Sequence, residues 1–311
     1  MHDRRLVTSL GLLVAVGALA VLGIQTPPAF AERASSLPSV HSEAVAVLDL
    51  RTGAEIFGKR PDEVRPIAST TKIFVAMVAR RKGLDLDGWT EIVASDVKAA
   101  KGGSRTRLDQ GQSFRNIDLL RAMLMSSDNR APTALGRAVG LDREALIAEM
   151  NKVARELGLK KTKFTDSSGL RGNVSTAREM ALALRSALGD PVLAEIMGTR
   201  WAEVRSRSGY ATIQYGSTNQ PLIAGTYKVL GGKTGFTRAA GYCFITGAEI
   251  DAHRYVFAIL GGDGKHTRFA DFSRVAAWID DGAPGGKLKP RAEGKAPPPD
   301  VKRRASGRAR R

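Results

Sequence analysis

Ser69-Thr70-Thr71-Lys72 sets a hydroxyl and an amine three residues apart. On a helix these positions share a face, with Cβ atoms about 5–6 Å apart. The residues that follow, Ile73 to Val78, are apolar on several faces, so the helix they predict is buried rather than amphipathic. Burial disfavours an ammonium ion, which would leave Lys72 as a neutral amine able to take the Ser69 proton. The positive end of the helix dipole would favour the resulting alkoxide. This is nucleophilic catalysis that needs no histidine. The four histidines, His2, His41, His253 and His266, are scattered and form no HExxH motif. The single cysteine, Cys243, excludes an internal disulfide and a multi-cysteine metal site. No glycine-rich phosphate loop is present, and the chemistry calls for neither metal nor cofactor.

The S-x-x-K spacing alone is weak, because Ser95-Asp96-Val97-Lys98 repeats it without an apolar helix behind it. Two further clusters change its weight. Ser127-Asp128-Asn129 lies 58 residues beyond Ser69, between the apolar runs Leu119–Met125 and Ala131–Val139, where a helix connection can present a hydroxyl and a carboxamide together. Lys233-Thr234-Gly235 follows 106 residues later, after Gly231-Gly232. On an edge strand, Lys and Thr can hold an anionic group while Gly235 admits a ligand backbone. Singly, an SxN is usually a helix cap (Ser217-Thr218-Asn219 is another) and a KTG usually a turn. The ordered set is specific.

The surrounding pattern supplies elements to position them. Glu43–Leu50 and Ala54–Gly58 read as a β-hairpin around Arg51-Thr52-Gly53. Residues 86–195 are mostly helical, with Asn116–Leu124, Ala131–Val139, Arg143–Leu157 and Thr176–Leu188 periodic at helical spacing. After Trp201, Leu222–Leu230, Gly241–Ile250 and Arg254–Leu260 read as strands, and Thr267–Ile279 as a closing helix. A sheet built from both ends of the chain around a helical insertion satisfies this order. The expected division is residues 42–85 and 195–282 for the sheet-containing part and 86–194 for the helical part.

The chain ends read differently. Arg4-Arg5, the apolar run Leu6–Ile24 and Ala29-Phe30-Ala31 form a three-part export signal, residues 1–31, with cleavage expected after Ala31 and a periplasmic location. Export makes nucleic acid an unsuitable partner. Residues 283–311 are Pro-, Gly- and Lys/Arg-rich, and read as a disordered basic tail. Residues 285–311 alone hold ten Lys or Arg against two acids, in a chain of net charge +17. Such a tail suits an anionic wall or membrane surface.

The motif set resembles that of the low-molecular-weight penicillin-binding proteins, the D-alanyl-D-alanine carboxypeptidases and endopeptidases. The likeness runs from about Glu43 to Trp278. It includes Arg65-Pro66-Ile67-Ala68-Ser69, Leu124 to Ala131, Asn173 to Arg178, and Lys233-Thr234-Gly235-Phe236-Thr237 followed by Ala239 to Cys243. It is closest to the endopeptidase branch. The resemblance implies an α/β chain with a β-lactamase/DD-peptidase-like fold, an antiparallel sheet flanked by helices with an inserted all-helical region. It implies Ser69 as nucleophile, Lys72 as its base and Ser127 as proton relay. Asn129, Lys233, Thr234, Gly235 and Phe236 would bind the peptidoglycan peptide, Lys233 supplying positive potential. Backbone N–H groups of Ser69 and Phe236 would form the oxyanion hole, the substrate would add as a strand along residues 234–237, and β-lactams would inhibit. The alternatives are a β-lactamase, or a wall-associated protein that binds penicillin with little turnover. The Asp in Ser127-Asp128-Asn129 is the β-lactamase spelling, but none of the six glutamates between Ser127 and Lys233 has Asn four places on. Arg254 is a candidate carboxylate ligand, with a plain surface arginine as the simpler expectation.

Overall fold

The computed structural model describes residues 37–104 and 106–281, so the expected leader and basic tail lie outside the described residues. Strands β1 (Ala44–Asp49) and β2 (Glu55–Lys59) form the N-terminal hairpin. Its turn is fixed by Asp49 Oδ1, which accepts the Thr52 backbone N–H at 2.6 Å and the Thr52 hydroxyl at 2.7 Å. The short β3 (Arg65–Pro66) leads to a 3-10 turn, Ala68–Thr71, and then to α1 (Lys72–Arg81). Next come β4 (Trp89–Glu91), α2 (Ala94–Ala99), β5 (Ser113–Arg115), α3 (Asn116–Ser126), α4 (Ala131–Ala138) and α5 (Arg143–Glu156). They are followed by β6 (Val174–Ser175), α6 (Ala177–Ala187), α7 (Pro191–Gly198), and the hairpin of β7 (Trp201–Arg205) and β8 (Thr212–Gly216). The chain closes with α8 (Gln220–Ala224), β9 (Lys228–Thr237), β10 (Gly241–Ile250), β11 (His253–Gly262) and α9 (Thr267–Asp280).

The main sheet has the order β2-β1-β11-β10-β9 and is antiparallel throughout, joining strands from both ends of the chain. Alternation along β1 sorts its side chains onto two cores. Val45 and Val47 pack with Phe244, Phe257, Phe269 and Phe272 under α9. Ala44, Ala46 and Leu48 face the larger core that contains α1, α3 and α6. Both faces are covered, which is why β1 reads as a near-continuous apolar run. Eight of the ten α1 residues are buried, matching its all-round apolar pattern. The helical region also holds the two-stranded ladders β4-β5 and β3-β6, which tie its loops to the rest.

The stretch Leu222–Leu230 corrects the strand expected there: α8 occupies its start and β9 begins only at Lys228. Turn chemistry overrides the apolar run. Asn219 caps α8 by accepting the Leu222 N–H at 3.3 Å, Pro221 sits in its first turn, and Gly225 ends it at φ +68°. Among the described residues no helix is long and apolar enough to cross a membrane.

Candidate active site

Ser69 lies on the 3-10 turn, with Lys72 at the first position of α1. One turn of helix brings the Lys72 Nζ to 2.8 Å from the Ser69 Oγ. The same Nζ meets the Ser127 Oγ at 3.1 Å and the Asn129 Oδ1 at 2.6 Å. A neutral amine has two N–H groups and one lone pair. Here the Nζ donates to all three oxygens; loss of one proton would free a lone pair beside the Ser69 hydroxyl, able to take its proton. The amine is fully buried, and burial brings its pKa down to about 7 against the opposing pull of Asp128 and Asp166.

Ser127 is the left-handed residue that ends α3, at φ +64°. Its conformation is held by Asp128, whose carboxylate accepts the Arg107 N–H at 2.8 Å, the Arg130 N–H at 3.0 Å and the Tyr215 hydroxyl at 3.1 Å. Asp128 is thus a bracket for the turn that presents Ser127 and Asn129. A second loop passes over Asn129: the Ser104 Oγ accepts from its Nδ2 at 3.3 Å, and a Cβ on Gly103 would lie 2.2 Å from that nitrogen.

The opposite wall is β9, an edge strand. A Cβ on Gly235 would sit 2.9 Å from the Ser69 backbone nitrogen, so only glycine leaves room there. Thr234 shares a 2.6 Å hydrogen bond with Thr218. Phe236 is exposed and stacks on Tyr242 with ring centroids 4.3 Å apart. Lys233 is buried and donates to the Thr234 carbonyl at 2.7 Å. Burial first, then Lys72 and Arg268, hold its pKa well below the usual lysine value. An anionic group placed beside Lys233 would oppose that shift and favour its protonated form.

Several contributors carry no motif. The loop Asp166–Arg171 is folded around the Asp166 carboxylate, which accepts backbone N–H groups of Ser168, Gly169 and Arg171 at 2.6 Å each and of Leu170 at 3.3 Å. The Ser168 carbonyl then accepts the Ser69 hydroxyl at 3.3 Å. Gly169, at φ +81°, presses on the Ala68 carbonyl so closely that an added Cβ would lie 1.9 Å from it. Ala68 itself is left-handed at φ +48°. Arg268, buried on α9, donates to the carbonyls of Gly235 at 2.7 Å and Cys243 at 3.0 Å and pins β9 to β10. The pattern Asp-Ser-Ser-Gly at 166–169, rich in turn formers, was the available signal for the loop. Arg268 had none.

Other sequence candidates fall outside the cleft. Ser95 is exposed on the short α2 and makes no bond to Lys98. Arg254 is more than half exposed and pairs with Glu249 at 3.1 Å. The Glu249 position of β10 faces Lys228 at the start of β9, at the far end of that ladder from Gly235 and Cys243. The Cys243 thiol is fully buried and pushed up to about 11 by burial.

A family model described as D-alanyl-D-alanine carboxypeptidase matches residues 31–264. The chain is 34% identical over 250 residues to a D-alanyl-D-alanine endopeptidase of Escherichia coli, covering 80% of each chain. It is 34% identical over 243 residues to one of Pseudomonas aeruginosa, covering 78% of each. Among solved structures, a D-alanyl-D-alanine carboxypeptidase of Mycobacterium tuberculosis superposes with TM-score 0.69 at 28% identity, over 77% of this chain and 92% of the other. The Streptomyces K15 DD-transpeptidase shares the fold, with TM-score 0.71 at 24% identity over 77% of this chain and 97% of its own.

Proposed function

The chain belongs to the D-alanyl-D-alanine carboxypeptidase family of serine peptidases, and within it we propose a peptidoglycan cross-link endopeptidase working through an acyl-enzyme on Ser69. The observation that carries the mechanism is the convergence of Ser69, Ser127 and Asn129 on one buried lysine amine of pKa about 7. Neutral Lys72 takes the Ser69 proton as the Oγ attacks the D-Ala carbonyl. The developing oxyanion is met by the backbone N–H groups of Ser69 and Phe236. The proton passes from Lys72 through Ser127 to the leaving amine, and the C–N bond breaks. Water then enters where the amine left and gives a proton to the same relay as its oxygen attacks the acyl carbon; the bond to the Ser69 Oγ breaks, and the relay returns the proton to that oxygen. Asn129 holds Lys72 in line throughout, and Thr234 binds the peptide beyond the cut bond.

The endopeptidase preference is supported by three relatives of that name and by Arg254. A carboxypeptidase must grip a terminal carboxylate, and Arg254 is engaged by Glu249 instead. With Arg254 so engaged, Lys233 and Thr234 would face that end and a bulkier peptide would be tolerated. Incubation with cross-linked muropeptides and with pentapeptide, followed by separation of products, tests the ranking. Dimers should fall to monomers faster than pentapeptide loses D-Ala. Rapid D-Ala release with dimers left intact would overturn the branch but not the serine-lysine mechanism. We assign the export signal of residues 1–31 and a periplasmic site of action from the Arg4-Arg5, Leu6–Ile24 and Ala29-Phe30-Ala31 pattern. N-terminal sequencing of the secreted protein should begin at Glu32, and a retained leader would refute cleavage.

A further inference from the structure

A cavity of about 360 Å³ lies between α2 and the Asp166–Arg171 loop, and four cations, Lys98, Lys101, Arg143 and Arg171, reach its lining. Lys98, Lys101 and Arg171 make no ion pair among the described residues. Arg143 has only its chain neighbour Glu144, at 3.8 Å. The one acid in the lining is Asp166, whose oxygens are already taken by four backbone N–H groups. Four cations against the one lining carboxylate leave the cavity with an excess of positive charge, and cations gathered in a concavity focus potential on an anionic ligand.

Its walls run to the catalytic groups. Ser168 lines the cavity and also takes the Ser69 hydroxyl on its carbonyl. The other wall continues from Lys101 to Ser104, which contacts Asn129. None of Lys233, Thr234 or Gly235 contributes to it. In the reading above, Lys233 and Thr234 serve the peptide beyond the cut bond, whereas Ser168 on this wall touches the nucleophile, so the arm of substrate within reach of this cavity is the acyl-side stem. A wall stem peptide carries free carboxylates on its acidic and diamino acid residues. One placed two or three residues before the cut lies about 7–11 Å from the reacting carbonyl in an extended chain.

We propose that this cavity is an anion subsite that takes a free carboxylate of the acyl-side stem peptide; the proposal rests on the DD-peptidase reading above. Lys98 and Lys101 approach the carboxylate from α2 and its C-terminal turn, and Arg171 from the facing loop. The Asp166 nest fixes the Arg171 backbone, so the loop that orients Ser69 also carries one of the cations that would position the substrate.

The test is calorimetric titration of the full chain carrying Ser69→Ala. Two stem peptides are compared, one with free acyl-side carboxylates and one with them amidated. The free peptide should bind about tenfold more tightly, as expected for charge-assisted contacts in a partly shielded site. Lys98→Gln/Lys101→Gln/Arg171→Gln should remove that gap and leave the amidated peptide unchanged. All three side chains are exposed, so folding should survive, and circular dichroism checks it. Equal affinity for the two peptides, a gap that persists in the triple variant, or no binding of either peptide would overturn the subsite. With Ser69 intact, the parent chain should be acylated by benzylpenicillin. Failure of the parent to acylate would instead refute the serine-lysine reading, so the two failures are separable.

Discussion

The Lys72 amine makes a quantitative pH prediction. Only its neutral form can accept the Ser69 proton, and its pKa stands at about 7 because burial outweighs Asp128 and Asp166. At pH 5 about 1% of the amine is neutral, so acylation should run roughly 100-fold below its alkaline plateau. The assay is stopped-flow acylation by benzylpenicillin from pH 5 to 8.5, with a tenfold rise per unit below about 7 and a level rate above. Asp128→Asn removes the leading charge that holds the proton, so the inflection should move to lower pH. The linkage sign follows from the same group. In the unfolded chain the amine titrates at 10.5, so between about 7 and 10.5 the unfolded state binds more protons and stability rises with pH. The full swing is on the order of 5 kcal/mol. It should appear as a difference in Tm between the parent and Lys72→Met, the variant being relatively more stable below pH 7. A rate that is flat between pH 5 and 7 would refute Lys72 as the base, whatever the stability data show.

Three further outcomes are expected. Intact-mass analysis after benzylpenicillin should give one long-lived adduct on the peptide containing Ser69, unchanged by Ser95→Ala; an adduct on Ser95 would contradict the assignment. Gly169→Ala places a Cβ against the Ala68 carbonyl. It should cost about 2 kcal/mol or more, lowering Tm by about 4–8 °C, and slow acylation; an unchanged acylation rate would mean the loop does not set the nucleophile. A chain ending at Gly282 should keep activity on soluble peptides and lose salt-sensitive binding to isolated wall or anionic vesicles. Equal binding at low salt with and without the tail would remove its proposed role.

What could be read from sequence was what rests on local periodicity. The apolar alternation over Glu43–Leu50 announces a strand of a hairpin, though not that both its faces are covered, and Ile73 to Val78 announce a buried helix. The Ser69–Lys72 contact is one helical turn, so its geometry is contained in the spacing. The meeting of both with Ser127 and Asn129 is not. It depends on α1, α3 and the Asp128 bracket packing together, and only the resemblance to a known family pointed there. Leu222–Leu230 misled because its composition suits a strand, while Asn219, Pro221 and Gly225 at its borders impose a turn of helix. Thr218 belongs to an SxN that reads as chance, yet it binds the Thr234 hydroxyl from another element. Arg268 acts through two carbonyls on neighbouring strands, a relation no linear pattern expresses.

The same geometry explains why a β-lactam should remain bound where a peptide is released. Fast hydrolysis of the acyl-enzyme needs a second base that activates water from a side the leaving group does not occupy. The loop that touches Ser69 through Ser168 offers Asp166, but its carboxylate is consumed by four backbone N–H groups and is buried. In the proposed mechanism the remaining base is the Lys72–Ser127 pair, reached from the side where the leaving amine departs. A peptide's amine diffuses away and opens that path to water. The amine of a β-lactam stays tethered to the acyl group and blocks it. Freeing the Asp166 oxygens would not convert the loop, because the nest they form is what holds the Ser168 carbonyl against the nucleophile. In the proposed mechanism, the contacts that orient Ser69 for attack on peptides are therefore the ones that would leave it trapped by the drug.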